Sequence, residues 1–471
     1  MSGTIVWLRD DLRVADNPAL AAAALRNEPV TVIFILDEVT AGIRPLGSAT
    51  KWWLHHSLEA LQDKISRLGG TFVLRQGSAP DILRNLIRET GATALYWNRR
   101  YGRPERDIDA GVKEYAKAAG LEAQSFQGNL LFEPWTIRTG SGTPYTVFTP
   151  FWKNCINQPT PPRLPIEAPA TLMPFPGELA SDDLSDWGLL PTKPDWAATF
   201  HLRWTPGEKG AHEALEEFLE HKITRYAHGR DFPAENSTSE LSPHLRWGEI
   251  SPFQIWHATD VRRRGASAEV ATNAAKFLAE VGWREFSYHL LYHWPDLATT
   301  NFDGRFDHFP WKEPDPQELE AWQQGITGVP MVDAGMRELW QTGYMHNRVR
   351  MIAASFLIKN LLIDWRIGEA WFWDTLLDAD PASNAASWQW VAGSGADAAP
   401  YFRVFNPVLQ ADKFDPQSDY LHRYLGEYEF PMMSGYPDPI VSLKETRDRA
   451  LEAFASLSDV PRSIRPPEVE L

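Results

Sequence analysis

Val30-Thr31-Val32-Ile33-Phe34-Ile35-Leu36 is a β-branched and aromatic run with a single hydroxyl inside it. A strand with one solvated face alternates apolar and polar residues. A run this continuous reads as a strand buried on both faces, as in parallel sheets. Four further runs frame it: Thr4–Leu8, Thr71–Arg75, Ala94–Trp97 and Glu122–Phe126. Between them lie helical patterns around 17–26, 50–68, 79–90 and 104–119. Pro18 and Pro80 stand near helix starts, where a missing N–H is harmless, and Gly69-Gly70 and Gly120 follow helix ends. The alternation predicts an α/β N-terminal domain over 1–130, with a five-stranded parallel Rossmann-like sheet. Neither G-x-G-x-x-G after the first strand nor a P-loop is present, so a nucleotide cofactor is expected elsewhere in the chain.

Seven prolines fall between Pro159 and Pro176, and polarity stays mixed to about 204. Residues 131–204 therefore read as a long Pro-rich, irregular connector. Thr205-Pro206-Gly207-Glu208 has the form of a capping box with Pro at the first helical position. Beyond it helical spacing dominates over 251–264, 268–293, 316–324, 331–342, 344–362 and 366–377. This predicts a large all-α C-terminal domain over 205–471, closing on a short helix at Arg447–Leu457 and a frayed end from Pro461 to Leu471.

The 471 residues carry 46 Lys and Arg against 62 Asp and Glu, a net charge of −16. The first 150 are near neutral, so the acid excess belongs to the rest of the chain. Taken globally this opposes a phosphate-backbone partner, although a basic groove can sit on an acidic body. The single Cys155 excludes an internal disulfide, a four-cysteine cluster and a zinc ribbon. No apolar run approaches the ~20 residues of a membrane span, and no secretory leader is read at the N-terminus, so a cytoplasmic protein is expected. The composition includes 21 tryptophans, most of them expected as core or interface bulk.

Three clusters carry chemistry. The first joins Tyr226 and Arg230-Asp231-Phe232-Pro233 to Thr238-Ser239-Glu240-Leu241-Ser242-Pro243, where hydroxyls and backbone N–H groups ahead of a helix suit phosphate oxygens. A plain helix cap fits the same residues. In the second, Glu280, Trp283 and Arg284 stand at i, i+3 and i+4 and share one helix face beside Glu285. They could line a polar pocket, or form a surface ion pair beside a core Trp. The third runs from Met345-His346-Asn347-Arg348-Val349-Arg350-Met351 to Asp378-Ala379-Asp380-Pro381-Ala382-Ser383-Asn384 and Trp388-Gln389-Trp390. Asn347 and Met351 are i, i+4 partners, and the aspartates beside paired tryptophans are too polar for plain core.

In combination these blocks resemble the photolyase/cryptochrome family over about residues 1–430. The opening Val6-Trp7-Leu8-Arg9-Asp10-Asp11-Leu12-Arg13 with Asp16-Asn17-Pro18 matches the family's N-terminal signature. Trp283-Arg284-Glu285-Phe286, Met345–Met351, and Trp388-Gln389-Trp390 with Asp397-Ala398-Ala399-Pro400-Tyr401 match the helical domain. The resemblance implies FAD, with Tyr226, Thr238, Ser239, Glu240, Leu241 and Ser242 at its diphosphate end. Asp378 and Asp380 are implied at the ribose and isoalloxazine end. Arg284, Asn347, Arg350 and Ala379 are further cofactor-binding positions. Asn384 falls where a side chain faces the flavin N5, as in repair enzymes; plant cryptochromes tend to carry Asp there and animal ones Cys.

The implied reaction is light-driven electron transfer from reduced FAD to a cyclobutane pyrimidine dimer flipped out of UV-damaged DNA. Trp283 and Trp390 resemble the aromatic walls for the dimer, Glu280 the carboxyl that bonds it, and Asn347 and Met351 other pocket contacts. Arg230, Arg348 and Arg403, with Gln410, match positions around the lesion's phosphates. A six-four photolyase would carry a His pair where this chain has Asn347 and Met351, with only His346 nearby. A cryptochrome-type photoreceptor is the alternative from another class. Trp52-Trp53-Leu54-His55-His56-Ser57-Leu58 and Trp97-Asn98-Arg99-Arg100-Tyr101 resemble the class III bacterial photolyases, whose antenna is 5,10-methenyltetrahydrofolate. Glu105 aligns with an acid that holds the pterin, beside Pro104 where relatives often carry Asn; a deazaflavin is the other antenna. Trp388, Trp365 and Trp311 match the chain of tryptophans that reduces the flavin, with Trp294 and Trp340 as alternatives for the outermost. Monomer is the family default.

Overall fold

The computed structural model describes residues 3–398, 402–426 and 435–468. Ala399, Pro400 and Tyr401 of the last motif, and Val469–Leu471, lie outside them. Strands β1 (Thr4–Leu8), β2 (Val30–Leu36), β3 (Thr71–Gln76), β4 (Ala94–Asn98) and β5 (Glu122–Phe126) alternate with α1 (Pro18–Leu25), α2 (Ser48–Arg67), α3 (Ala79–Thr90) and α4 (Arg103–Ala118). All strands are parallel, in the order β3-β2-β1-β4-β5. The continuous runs have the cause the sequence predicts. Val6, Leu8, Val32 and Phe34 pack toward α1 and α2, whereas Ile5, Trp7, Ile33 and Ile35 pack toward α3 and α4. Both faces are buried, so neither can be polar.

The connector is more ordered than its prolines predict. It holds α5 (Phe148–Ile156), which lays Phe148 flat on Trp283 with ring centroids 3.8 Å apart. Farther on it straps the sheet unit: the Val30 N–H donates to Met173 O and the Leu172 N–H to Leu68 O. Leu172, Leu184, Trp187, Phe200 and Trp204 enter that unit's core. Apolar residues spaced too irregularly for a helix or strand are here the inner face of the strap.

The helical region comprises α6 (Glu208–Glu217), α7 (Tyr226–Gly229), α8 (Ser242–Arg246), α9 (Pro252–Arg263), α10 (Ala268–His293), α11 (Pro316–Gln324), α12 (Pro330–Thr342), α13 (Asn347–Ser355), α14 (Trp365–Thr375), α15 (Ser383–Ala392), α16 (Pro407–Phe414), α17 (Asp419–Tyr424) and α18 (Leu443–Ala455). Two expectations at its boundaries are corrected. The capping box at Thr205 does not form: α6 starts after Gly207, whose φ of 102° only glycine adopts freely. The Glu208 carboxylate instead accepts the N–H groups of Val14 and Ala15 and pairs with Lys64 at 2.6 Å. The predicted helix 344–362 starts later, because His346 caps α13 through Nδ1, and its last turn, Phe356–Asn360, continues from Ser355 as a π-helix.

The two units meet through buried charge. Arg13 is fully buried and donates to Asp16 O, Gly128 O and Gly248 O at 2.7–3.1 Å. Glu249, equally buried, accepts from Trp53 Nε1 of α2 at 3.0 Å and from the Gly207 N–H at 2.7 Å. The C-terminal stretch is not frayed through 468. Arg465 pairs with Asp307 at 2.5 Å, and Glu468 takes Arg103 and Arg106 at 3.0 and 2.8 Å.

Candidate functional site

A cavity of about 530 Å³ opens among α8, α10, α13 and α15. The Ser267 hydroxyl caps α10, accepting from the Val270 N–H at 3.3 Å. One face of this 26-residue helix then lines the cavity with Lys276, Glu280, Trp283 and Arg284. Glu280 pairs with Arg230 and, at 3.2 Å, with Lys276. Trp283 is fixed by its stack on Phe148. Arg284 donates to Asn129 O at 2.8 Å and lies 4.9 Å from the Tyr288 ring centroid. Glu285, next in the motif, turns away and accepts the Phe132 N–H at 3.1 Å; burial pushes its carboxyl up to about 7. That residue ties the connector down and is no part of the lining.

Opposite, α13 contributes Asn347, Arg350 and Met351. Arg350 donates to Met345 O at 2.6 Å and pairs with Asp378 at 2.9 Å. Asp378 keeps its Oδ1 buried without a hydrogen-bond partner, a polar atom left for a ligand. Ala379 and Asp380 also line the cavity, but both Asp380 oxygens are committed. Oδ2 accepts the Tyr288 hydroxyl at 2.6 Å, and Oδ1 accepts the N–H groups of Ala382 and Ser383 at 2.9 and 2.7 Å. Asn384 on α15 lines the floor. Its Nδ2 donates to the carbonyl and Oε1 of Glu369 at 3.0 and 2.9 Å, and Glu369 in turn holds Arg44 of the sheet unit. In this assignment of the amide, Oδ1 is left for the cavity.

At the far end, Tyr226, Ser239, Leu241 and Ser242 line the cavity. Burial pushes the Tyr226 hydroxyl up, so it acts as a neutral donor. Thr238 and Glu240 do not line it. Glu240 sits at φ 54°, and its carboxylate is drawn off by the Arg203 guanidinium, 3.2 Å from Nε. The expected contribution of Glu240 is thus confined to backbone, because a strong cation outside the cavity captures its side chain.

Trp388 and Trp390 both border the cavity. Trp388 is buried, with Phe372 and Trp322 at 4.9 and 6.3 Å between ring centroids; Trp390 donates to Asp397 O at 3.1 Å. Trp365 is fully buried and donates to Asn301 at 2.9 Å, and Trp311 is half-buried on Phe309. Of the alternatives, Trp294 is buried and Trp340 is half exposed. Arg348, Arg403 and Gln410 lie outside the lining. Arg348 pairs with Asp231 at 2.6 Å, and the Arg403 carbonyl accepts from Lys359.

Sequence reasoning passed over Lys276, Phe148, Glu369 and Arg246. Arg246 joins the N-terminal signature to the cavity, donating to Asp10 at 2.9 Å and Ala379 O at 2.8 Å. Lys276 stands one turn before Glu280 on the same helix face, a spacing the sequence offers, whereas Phe148, Glu369 and Arg246 matter through distant partners and carry no local signal. Five cations border the cavity (Arg230, Arg246, Lys276, Arg284, Arg350) against three acids, Glu280, Asp378 and Asp380. The acidic chain therefore has a locally basic site.

The family models match here. DNA photolyase covers residues 4–170, and the FAD binding domain of DNA photolyase covers 277–456. A deoxyribodipyrimidine photo-lyase of Agrobacterium fabrum is 50% identical over 96% of this chain and 98% of its own. The chain belongs to the photolyase/cryptochrome family. Cryptochrome-2 of Arabidopsis thaliana is 37% identical over 90% of this chain and 70% of its own length. The crystal structure of a bacterial class III photolyase from Agrobacterium tumefaciens superimposes with a TM-score of 0.92, at 48% identity and 98% coverage of both chains. The α/β sheet unit and the helical FAD-binding unit of this family are thus both present.

A second cavity, about 320 Å³, lies between α3 and α4, lined by Leu83, Ile87, Ile108, Val112 and Tyr115 with Arg84 and Asp107. Pro104 borders it and Glu105 does not: the Glu105 carboxylate folds back toward Gly102. Among the described residues no helix is long and apolar enough to cross a membrane.

Proposed function

We propose that this chain repairs cyclobutane pyrimidine dimers in UV-damaged DNA, using FAD and light, as a carbon–carbon lyase. One observation carries the reading. Glu280 and Trp283 from α10, Asn347 and Met351 from α13, and Trp390 from α15 surround a single basic cavity. The unpartnered Asp378 Oδ1 and the hydroxyls of Ser239 and Ser242 fit the cofactor's polar groups. When bound, FAD supplies the photoexcited electron that opens the cyclobutane ring. The protein's part is positioning. Trp283 and Trp390 provide faces for the flipped-out bases, Glu280 accepts or donates a hydrogen bond at the dimer, and Asn347 and Met351 complete the pocket. Asn384 holds an amide oxygen toward the flavin ring. Arg350, Asp378, Ala379 and Arg284 hold its sugar and ring, Asp380 fixes that segment through Tyr288, Ala382 and Ser383, and Tyr226 with Ser239, Leu241 and Ser242 holds its diphosphate. Glu240 serves by backbone alone, and Thr238 stands outside the lining. At the cavity's edge Arg230, and outside it Arg348, Arg403 and Gln410, meet the phosphates, and Trp388, Trp365 and Trp311 pass electrons inward.

Repair of defined lesions under blue light tests this reading. Splitting of the cyclobutane dimer is expected. Splitting only of the six-four product, or flavin binding without repair, would overturn it in favour of a six-four photolyase or a cryptochrome-type receptor. The Arabidopsis likeness motivates the second rival, but the full set of pocket residues favours repair. The same reading assigns three units, 1–130, 131–204 and 205–471, acting as a monomer in the cytoplasm. It also assigns an antenna chromophore, 5,10-methenyltetrahydrofolate in preference to a deazaflavin, which the absorption band of the purified protein distinguishes. Because the Glu105 side chain is folded away, this antenna assignment rests on the class III likeness alone.

A further inference from the structure

Away from both cavities, α2 carries His55, His56 and Glu59 with their donor atoms gathered. His55 Nε2 stands 3.4 Å from Glu59 Oε1, and His56 Nδ1 stands 2.9 Å from Glu59 Oε2. All three donor atoms lie within 4.8 Å of one another. In a tetrahedral shell with bonds of roughly 2.0–2.2 Å, neighbouring donors are about 3.4 Å apart. Donors gathered within 4.8 Å reach that spacing with small side-chain rotations. The arrangement follows from helix geometry, since Glu59 lies one turn beyond His55 (i, i+4) and His56 (i, i+3).

The imidazoles are not free to wander. His55 is only 8% exposed, and its ring meets His56 edge-on at 5.2 Å; His56 in turn packs edge-on against Trp52 at 4.7 Å. His55 Nδ1 is buried and has no hydrogen-bond partner among the described residues. The ordinary alternative is an ion pair between Glu59 and a charged histidine, which saturable one-equivalent metal binding distinguishes.

We propose that His55, His56 and Glu59 form a binding site for a divalent transition-metal ion of the zinc class. Two imidazoles and one carboxylate suit Zn²⁺, Co²⁺, Ni²⁺ or Cu²⁺, and not the oxygen-seeking Mg²⁺ or Ca²⁺. Glu59 is exposed and His56 partly so, which leaves an entry path and open coordination positions for water. Trp52 also packs edge-on against Phe200 of the connector, at 5.3 Å. A bound ion would therefore hold His56 and Trp52 where α2 meets the strap. None of the three ligands lines the flavin cavity, so the site stands apart from the repair reading.

The test uses untagged, flavin-loaded, chelator-stripped protein titrated with Zn²⁺ in a calorimeter, and with Co²⁺ followed by difference absorbance. One equivalent is expected, with a Zn²⁺-dependent rise in the thermal midpoint. E59Q and H56A change exposed or partly exposed side chains and are checked for retained flavin. Each is expected to weaken binding at least tenfold and abolish the rise in midpoint. Absence of saturable binding, or one-equivalent binding that both variants keep, would overturn the proposal.

Discussion

Asn384→Asp is the most incisive change at the cavity floor. The amide nitrogen it replaces lies 2.9 Å from Glu369 Oε1, and Glu369 is buried. Two carboxylates at that spacing repel by about 6 kcal/mol at an effective dielectric constant of ~20. Keeping a proton at pH 7 on a carboxyl whose ordinary value is ~3.9 costs about 4 kcal/mol, at ~1.4 kcal/mol per pH unit. Protonation is cheaper. The Arg44 guanidinium, 2.8 Å from Glu369, places the proton on the introduced group. The folded variant then holds a proton that the unfolded chain has released above about pH 4. Its stability relative to wild type must fall as pH rises, from about pH 4 until the proton leaves near pH 8. Between pH 5 and pH 8 the deficit should grow by about 4 kcal/mol. Urea unfolding of flavin-loaded protein, run side by side on variant and wild type across that range, measures it. Flavin should be retained at the acid end, where a protonated carboxyl still donates to Glu369. A deficit independent of pH would refute the shared-proton argument.

Three further outcomes follow from other parts of the molecule. Trp365→Phe should slow photoreduction of oxidised flavin severely yet leave repair intact once the flavin is chemically reduced; transient absorption at a wild-type rate would remove Trp365 from the route. Arg348→Ala should weaken binding of damaged and undamaged DNA alike and lower the salt slope by about 1, as read from titrations over a salt series. Lys359 is buried, and burial with the nearby Arg403 lowers its ammonium from 10.5 to about 7. The unfolded chain therefore binds one proton more between pH 7 and 10.5, and this group makes stability rise with pH across that window. Lys359→Met should remove that slope and relieve a penalty of up to about 5 kcal/mol below pH 7, checked by unfolding at pH 7 and pH 10.

The sheet was legible from sequence because its cause is local. A strand sandwiched between helices has no face left for polar residues, so Val30–Leu36 could be little else. The reach of α10 was legible for the same reason: a period of 3.6 fixes that Glu280, Trp283 and Arg284 share a face, whatever lies opposite. Motif likeness then supplied what period could not, the expectation that this face meets Asn347, Met351 and Trp390.

Tertiary structure decided where each charge goes. Glu208 reads as half of a capping box and instead holds Val14, Ala15 and Lys64. Glu240 and Glu285 sit inside ligand-like motifs, yet one is drawn to Arg203 and the other to the Phe132 N–H. Asn384 faces the cavity in an orientation set by Glu369 and, through it, by Arg44, 325 residues from Glu369. The strap formed by the connector was equally invisible, since its apolar residues answer to the outline of another unit and to no repeat of their own. Periodicity assigns a side chain to a face because the backbone repeats. A buried carboxylate or amide goes to the strongest partner within a few ångströms, and only the folded chain brings that partner near.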